Sequence, residues 1–254
     1  MSIQQSYTQL SDELKTALNL NQAPIAISFT DVFPAGLSAP PTRVAAGCRF
    51  WQDAATATFA TVAEDHNSCA IGVHTHNLEP TPAQQTDLMD ALKVFADLGY
   101  VRPEDLPMIP VLASRSKYVV YGPLAQIPLP PDVVLLFVNS NQTLVLSEAV
   151  QQVENGTPPA MGRPACAVIP QVINTGRAAL SLGCCGARAY LDVLTDDVAL
   201  FAIPGARIDA YAERVIALSK ANQMLSRFHQ MRRHDIGRGE SPTIQQSLEA
   251  FMAS

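Results

Sequence analysis

The sequence predicts an α/β protein built from two related α/β halves, a pseudo-repeat packed into one compact unit, with a long C-terminal helix behind them. Three observations predict it. Short apolar runs with strand character alternate with amphipathic segments over residues 23–205. Two cysteine pairs, Cys48 with Cys69 and Cys166 with Cys184, recur at similar separations and in similar settings. From about residue 208 to 233, Tyr211, Val215, Leu218, Leu225 and Phe228 fall near helical spacing. The expected divisions are residues 1–122 for the first half with an N-terminal helix, 123–205 for the second half, and 206–254 for the C-terminal helix and polar tail.

Composition bounds the function classes. The chain has 254 residues, 48% hydrophobic and 16% charged, enough apolar content for a sizeable core. A net charge of −6 argues against nucleic acid, whose affinity rests on clustered Lys and Arg. The longest apolar runs, such as 133–138, fall far below the roughly 18 residues of a membrane span, so none is expected. The opening Met1-Ser2-Ile3-Gln4-Gln5 lacks a basic region followed by an apolar stretch, which predicts a cytoplasmic address.

The elements follow in order. Leu10, Leu14 and Leu18 give the buried stripe of an opening helix. Residues 23–29 read as a strand and the Pro- and Ser-rich run 33–42 as a loop. Residues 48–55 read as a short helix, and 56–63 as a strand delivering Glu64, Asp65, His66 and Cys69 into a loop. Thr81-Pro82 predicts a helix start and Gly99 its stop, with Leu88, Leu92, Phe95 and Leu98 as the apolar stripe between them. Residues 117–120 form a strand closed by Gly122-Pro123, and 133–138, apolar at every position, predicts a central strand covered on both faces. In the second half, 178–182 corresponds to the strand before Cys69, and 147–159 to an insertion. Residues 198–203 then read as a strand ending in the Pro204-Gly205 turn.

At strand-to-helix junctions Cys69 and Cys184 would face free backbone N–H groups, which favours thiolate over thiol. If the halves pack about a pseudo-twofold axis, Cys48, Cys69, Cys166 and Cys184 converge. Four thiolates suit an iron–sulfur cluster, a structural zinc or another redox metal cofactor. The plainer account is four buried inert thiols. Cys185 has no counterpart in the first half; beside Cys184 it suits a thiol-dependent redox enzyme instead.

His66, His74 and His76 cluster near Cys69, and His66 or a cysteine could serve as axial ligand to haem or another tetrapyrrole. A strand would turn His74 and His76 to one face, and exposed polar loop histidines are the plainer account. Arg188 suits an anionic cofactor or a substrate carboxylate, whereas the Glu64-Asp65 and Asp196-Asp197 doublets read as solvated loop carboxylates. Nucleotide-binding glycine motifs and a Gly-x-Ser-x-Gly elbow are absent.

Several spaced motifs carry a resemblance. They are Ala23-Pro24, Cys48, His66-x-x-Cys69-x-x-Gly72, Arg115 with Tyr118-Val119-Val120, Pro131-Asp132-Val133, Cys166, Gly183-Cys184-x-Gly186-Ala187-Arg188 and Ile203-Pro204-Gly205. Together they resemble the bacterial and archaeal proteins grouped as domain of unknown function 169, over about residues 23–205. The resemblance implies a cysteine-bearing protein with no settled activity; Cys185, His74 and His76 fall outside its pattern. The leading expectation is therefore electron transfer or cofactor handling through four metal-bound cysteines. The expected partner is a redox cofactor or small molecule, with self-association into a homo-oligomer as a use for the polar tail.

Overall fold

The computed structural model describes residues 3–41, 47–184 and 186–253. In chain order the elements are α1 (Ile3–Leu18), β1 (Ile25–Thr30), α2 (Gly47–Asp53), β2 (Phe59–Thr61), α3 (Ala70–Thr75), α4 (Pro82–Asp97), β3 (Tyr118–Pro123) and β4 (Val133–Val138). There follow α5 (Ser140–Val153), β5 (Ala160–Met161), α6 (Val168–Thr175), β6 (Ala179–Ser181), β7 (Ala199–Pro204), α7 (Ile208–Gly237) and α8 (Ile244–Met252). The mixed α/β class and the long C-terminal helix agree with the sequence.

One seven-stranded sheet carries the fold, in the order β2-β3-β1-β4-β7-β6-β5. Neighbours are antiparallel except the short β5–β6 pair. β4 sits at the centre, and its side chains alternate between two cores: Val133 and Leu135 on one face, Val134, Leu136 and Val138 on the other. This double burial explains a strand with no polar position.

Asp132 stitches the central strands. Its N–H donates to the Ile27 carbonyl, its carboxylate accepts from the Phe29 N–H at 2.7 Å, and its carbonyl accepts from the Gly205 N–H at 2.9 Å. A Cβ on Gly205 would lie 1.8 Å from the Pro131 carbonyl oxygen, so only glycine fits. The Pro131-Asp132 and Pro204-Gly205 motifs are thus two sides of one contact.

On one face lie α1, α5 and α7. Leu14, Leu146, Phe201, Tyr211 and Val215 are fully buried there. Gln142 donates to the Leu18 and Asn19 carbonyls, tying α5 to the end of α1. Glu154 is buried beneath them, accepting from Arg177 Nε, the Ala178 N–H and the Tyr211 hydroxyl. On the opposite face lie α2, α3 and α6, all short, with Phe50, Trp51, Ile169 and Val172 in the core.

Several local expectations change. The strand predicted over 56–63 narrows to Phe59–Thr61, because Ala63–Asp65 turns into a 3₁₀ helix. The strand at 117–120 instead runs through Gly122 and Pro123, paired with β1. The supposed insertion over 147–159 is mostly helix α5, which starts earlier under an Asn139 cap. The start of α4 is as expected: Thr81 accepts from the Gln84 N–H, and Gly99 follows the helix at φ +69. Its stripe is less buried than expected, with Leu98 77% exposed, since α4 covers a cavity rather than the sheet.

Candidate functional site

The four described cysteines occupy the ends of short elements on the α2/α3/α6 face. Cys48 lies in the first turn of α2, Cys69 caps α3, Cys166 lies in the 3₁₀ turn Ala165–Ala167 and Cys184 precedes the π-helical turn Gly186–Tyr190. All four are free thiols, and all four line one cavity of about 400 Å³. Its opposite wall is α4, through Ala91, Leu92 and Phe95, with Tyr100, Leu106 and Ile109 beyond. Asn67, Ser68, Asp87, Asp90 and Arg163 supply its polar positions.

Convergence on one cavity does not make a metal centre. Among the described residues, no group of three or more His, Cys, Asp or Glu side chains is placed to hold a metal ion. This overturns the iron–sulfur or redox-metal function expected of Cys48, Cys69, Cys166 and Cys184. The physical reason lies in how the thiols are held. Cys48 and Cys166 are buried members of the apolar core, and Cys69 and Cys184 pack against it.

Burial pushes the Cys48 thiol far above its ordinary range, with Cys69 and Cys184 adding to the rise. Cys166 is raised well above it too, again by burial first, although the Thr75 hydroxyl donates to its sulfur at 3.4 Å. At Cys69 the expected helix-terminus effect exists but loses. Burial raises its pKa, while the Gly72 and Ile71 N–H groups only partly oppose the rise. These thiols are protonated, soft and apolar at neutral pH.

The histidines are also placed differently from expectation. His66 and His76 are wholly buried rather than exposed in loops, whereas His74 is exposed. The segment is helical, so side chains two apart diverge instead of sharing a strand face. The His66 and His76 rings meet edge-on with centroids 6.1 Å apart, Phe50 packing on the first and Phe29 on the second. A Cβ on Gly47 would sit 3.3 Å from His76 Cε1, so the missing side chain lets α2 begin against this pair.

His66 Nε2 lies 3.4 Å from the Thr61 hydroxyl, while His66 Nδ1 and both His76 ring nitrogens meet no protein partner. Burial drives both pKa values down, to about 3 for His66, where His76 also contributes, and about 4 for His76. Packed between Thr61, Phe50 and His76 and outside the cavity lining, His66 presents no axial nitrogen to a tetrapyrrole there. The haem alternative is corrected on that ground for His66 and, for a cysteine ligand, because the described residues gather no group placed to hold a metal ion.

Arg188 directs its guanidinium at the carbonyls of Thr195, Leu182 and Val198 and so closes the loop between β6 and β7. Cys185 lies outside the described residues. The thiol-redox alternative rested on a vicinal pair and on thiolate character. The described cysteines are free, and those with shifted pKa values are shifted upward.

Sequence reasoning missed Tyr121 and the cavity role of α4. Tyr121 is fully buried behind the cysteines, its hydroxyl unpartnered and its pKa raised by burial, then by Cys166 and Cys48. Alternation along β3 places it on the same face as Val119 and carries the clue. For α4, the outward residues Thr86, Asp90, Lys93 and Asp97 are polar as in any surface helix, and no local signal marks its inner side as a cavity wall.

Among protein families, DUF169, described as uncharacterised ArCR, matches residues 13–214. No curated protein and no solved structure matches the chain.

Proposed function

The chain belongs to the DUF169 family, whose description supplies no activity, and from the site alone we propose that it binds a small, predominantly apolar molecule in the cysteine-floored cavity. The observation that carries this reading is the cavity itself. About 400 Å³ lies within the usual range for small-molecule sites, and the walls are apolar with a few polar positions. The protonated thiols of Cys48, Cys69 and Cys166 on the floor offer polarisable contact without charge. Asn67, Ser68 and Arg163 are suited to orient one polar end of the molecule.

The two-halves reading belongs to the same proposal, with residues 1–122 and 123–205 as related units and 206–254 as an appended helical segment. Strand order supports it once the two-residue edge strand β5 is set aside as an addition to the second half: the sheet then runs β2-β3-β1 on one side of its midline and β4-β7-β6 on the other. In each half the second strand lies outside the third and the first lies innermost. Each half also places one cysteine before its second strand and one after it. The cavity then forms where equivalent edges meet. Free thiols suit a reducing, cytoplasmic setting, and among the described residues no helix is long and apolar enough to cross a membrane.

Titration with the apolar fluorophore N-phenyl-1-naphthylamine tests the binding reading. One saturable site is expected, weakened about tenfold or more when Ala91→Trp fills the cavity from α4. Absence of saturable binding, or binding indifferent to Ala91→Trp in a folded variant, would overturn it.

A further inference from the structure

The two 16-residue helices α1 and α4 are held in opposite ways. α1 buries Leu10, Leu14 and Leu18 in the core beneath it. α4 lies across the cavity, and its inner residues Leu88, Ala91, Leu92 and Phe95 are only half-buried. From residue 85 to residue 111, Val101 alone is buried.

This stretch is pinned at its two ends. At the first, Thr81 caps α4 and the Gln84 side chain donates to the Ala63 carbonyl at 2.7 Å. At the second, the Leu112 N–H donates to the Thr75 carbonyl at 2.9 Å and the Asn77 side chain donates to the Leu112 carbonyl at 3.0 Å. Asn174 joins them, donating to the Val111 carbonyl at 2.7 Å and accepting from the Ala113 N–H at 2.9 Å. Between those pins, among the described residues, every hydrogen bond and ion pair of residues 86–110 stays within 81–110. Asp105 feels the Arg163 charge but pairs with Arg102.

We propose that residues 85–110 form a strap that lifts locally from the body to admit a ligand and closes over it, so that occupancy of the cavity sets how firmly α4 is held. This rests on the reading of the cavity as a small-molecule site. Segments with few buried apolar contacts and few hydrogen bonds to the body are the ones that open locally. An apolar stripe that faces a cavity has fewer partner atoms than one that faces a packed core, and an apolar molecule in the cavity supplies the missing ones. Once lifted, α4 is a 16-residue helix without tertiary support, which is marginal in water and frays.

Native-state trypsin digestion of the full chain, read bond by bond by mass spectrometry, tests the strap. Lys15 in α1 and Lys93 in α4 are both exposed, and each lies in the last third of its helix. Cleavage after Lys93 is expected to be about tenfold or more faster than after Lys15, and independent of urea well below the unfolding midpoint, as local opening requires. N-phenyl-1-naphthylamine at about ten times its Kd should slow the Lys93 cut about tenfold and leave the Lys15 cut unchanged. Lys93 is outside the cavity lining, with its side chain 72% exposed, so bound fluorophore does not shield it directly.

Equal rates at the two lysines, or a Lys93 cut that climbs with urea as global unfolding does, overturn the strap. So does saturable binding that leaves the Lys93 cut unchanged, a result that leaves the small-molecule reading standing. Absence of saturable binding overturns that reading, and closure on a ligand with it.

Discussion

The two faces of the sheet are built from the same strands and do different work. The face under α1, α5 and α7 is closed by helices of 14 residues or more, and the large buried polar side chains Gln142 and Glu154 are fully engaged there, leaving the Ser219 hydroxyl at its edge unpartnered. The face under α2, α3 and α6 is covered by helices of 6 to 8 residues. It holds a cavity, four thiols, two neutral histidines and a tyrosine, with orphaned polar atoms on the aromatic groups. Buried polar atoms without partners cost stability. Long helices therefore secure the fold, and short ones frame a site with room to bind.

Truncation on the closed face should have the largest effect. Leu14→Ala removes a wholly buried side chain where α1 meets the sheet, and a loss of about 3 kcal/mol in urea unfolding is expected. A loss below about 1 kcal/mol would break the contrast at its strong end.

Acid should act next, and through the open face. His66 and His76 are held neutral with folded pKa values of about 3 and about 4, below the ordinary 6.5. The unfolded chain thus binds more protons between those values. The stability their neutrality supports is present in full above pH 6.5 and falls as pH drops through the window toward 4 and 3. Urea midpoints across that range should fall less in His76→Gln than in the parent, and parallel slopes would refute the assignment.

The cysteines should be gentler. Cys48→Ala removes a small side chain beside an existing cavity and should cost about 1 kcal/mol, with Cys48→Ser costing more because its hydroxyl seeks a partner in an apolar wall. Equal costs for both would mean that the floor is wetter than its apolar lining implies. At the weak end, Val94→Ser on the outer side of α4, half exposed at 51%, should change monomer stability by no more than about 0.5 kcal/mol. A larger effect in thermal melts at low concentration would show that α4 is secured by more than its inner side.

Much of the fold was legible because its signals are local. Leu10, Leu14 and Leu18 are buried as their spacing requires, Thr81-Pro82 starts a helix, and the unbroken apolar run at 133–138 is the doubly covered centre of the sheet. The site was legible only in its membership. Cys48, Cys69, Cys166 and Cys184 do share one cavity. Their chemistry, and at Cys69 the protonation, was misjudged because a helix terminus is readable from sequence and burial is not.

The sequence by itself determined the helices α1, α4 and α7, the strands β1, β3, β4 and β7 to within a few residues, and which family the chain resembles, since capping, periodicity and glycine placement act over a few neighbours. Tertiary structure alone decided that Cys48, Cys69 and Cys166 stay protonated, that His66 and His76 are neutral and enclosed while His74 is bare, and that α4 walls a cavity. Each of those depends on desolvation, which packing sets and which can draw on residues far along the chain, as when Thr75 meets Cys166 91 positions away.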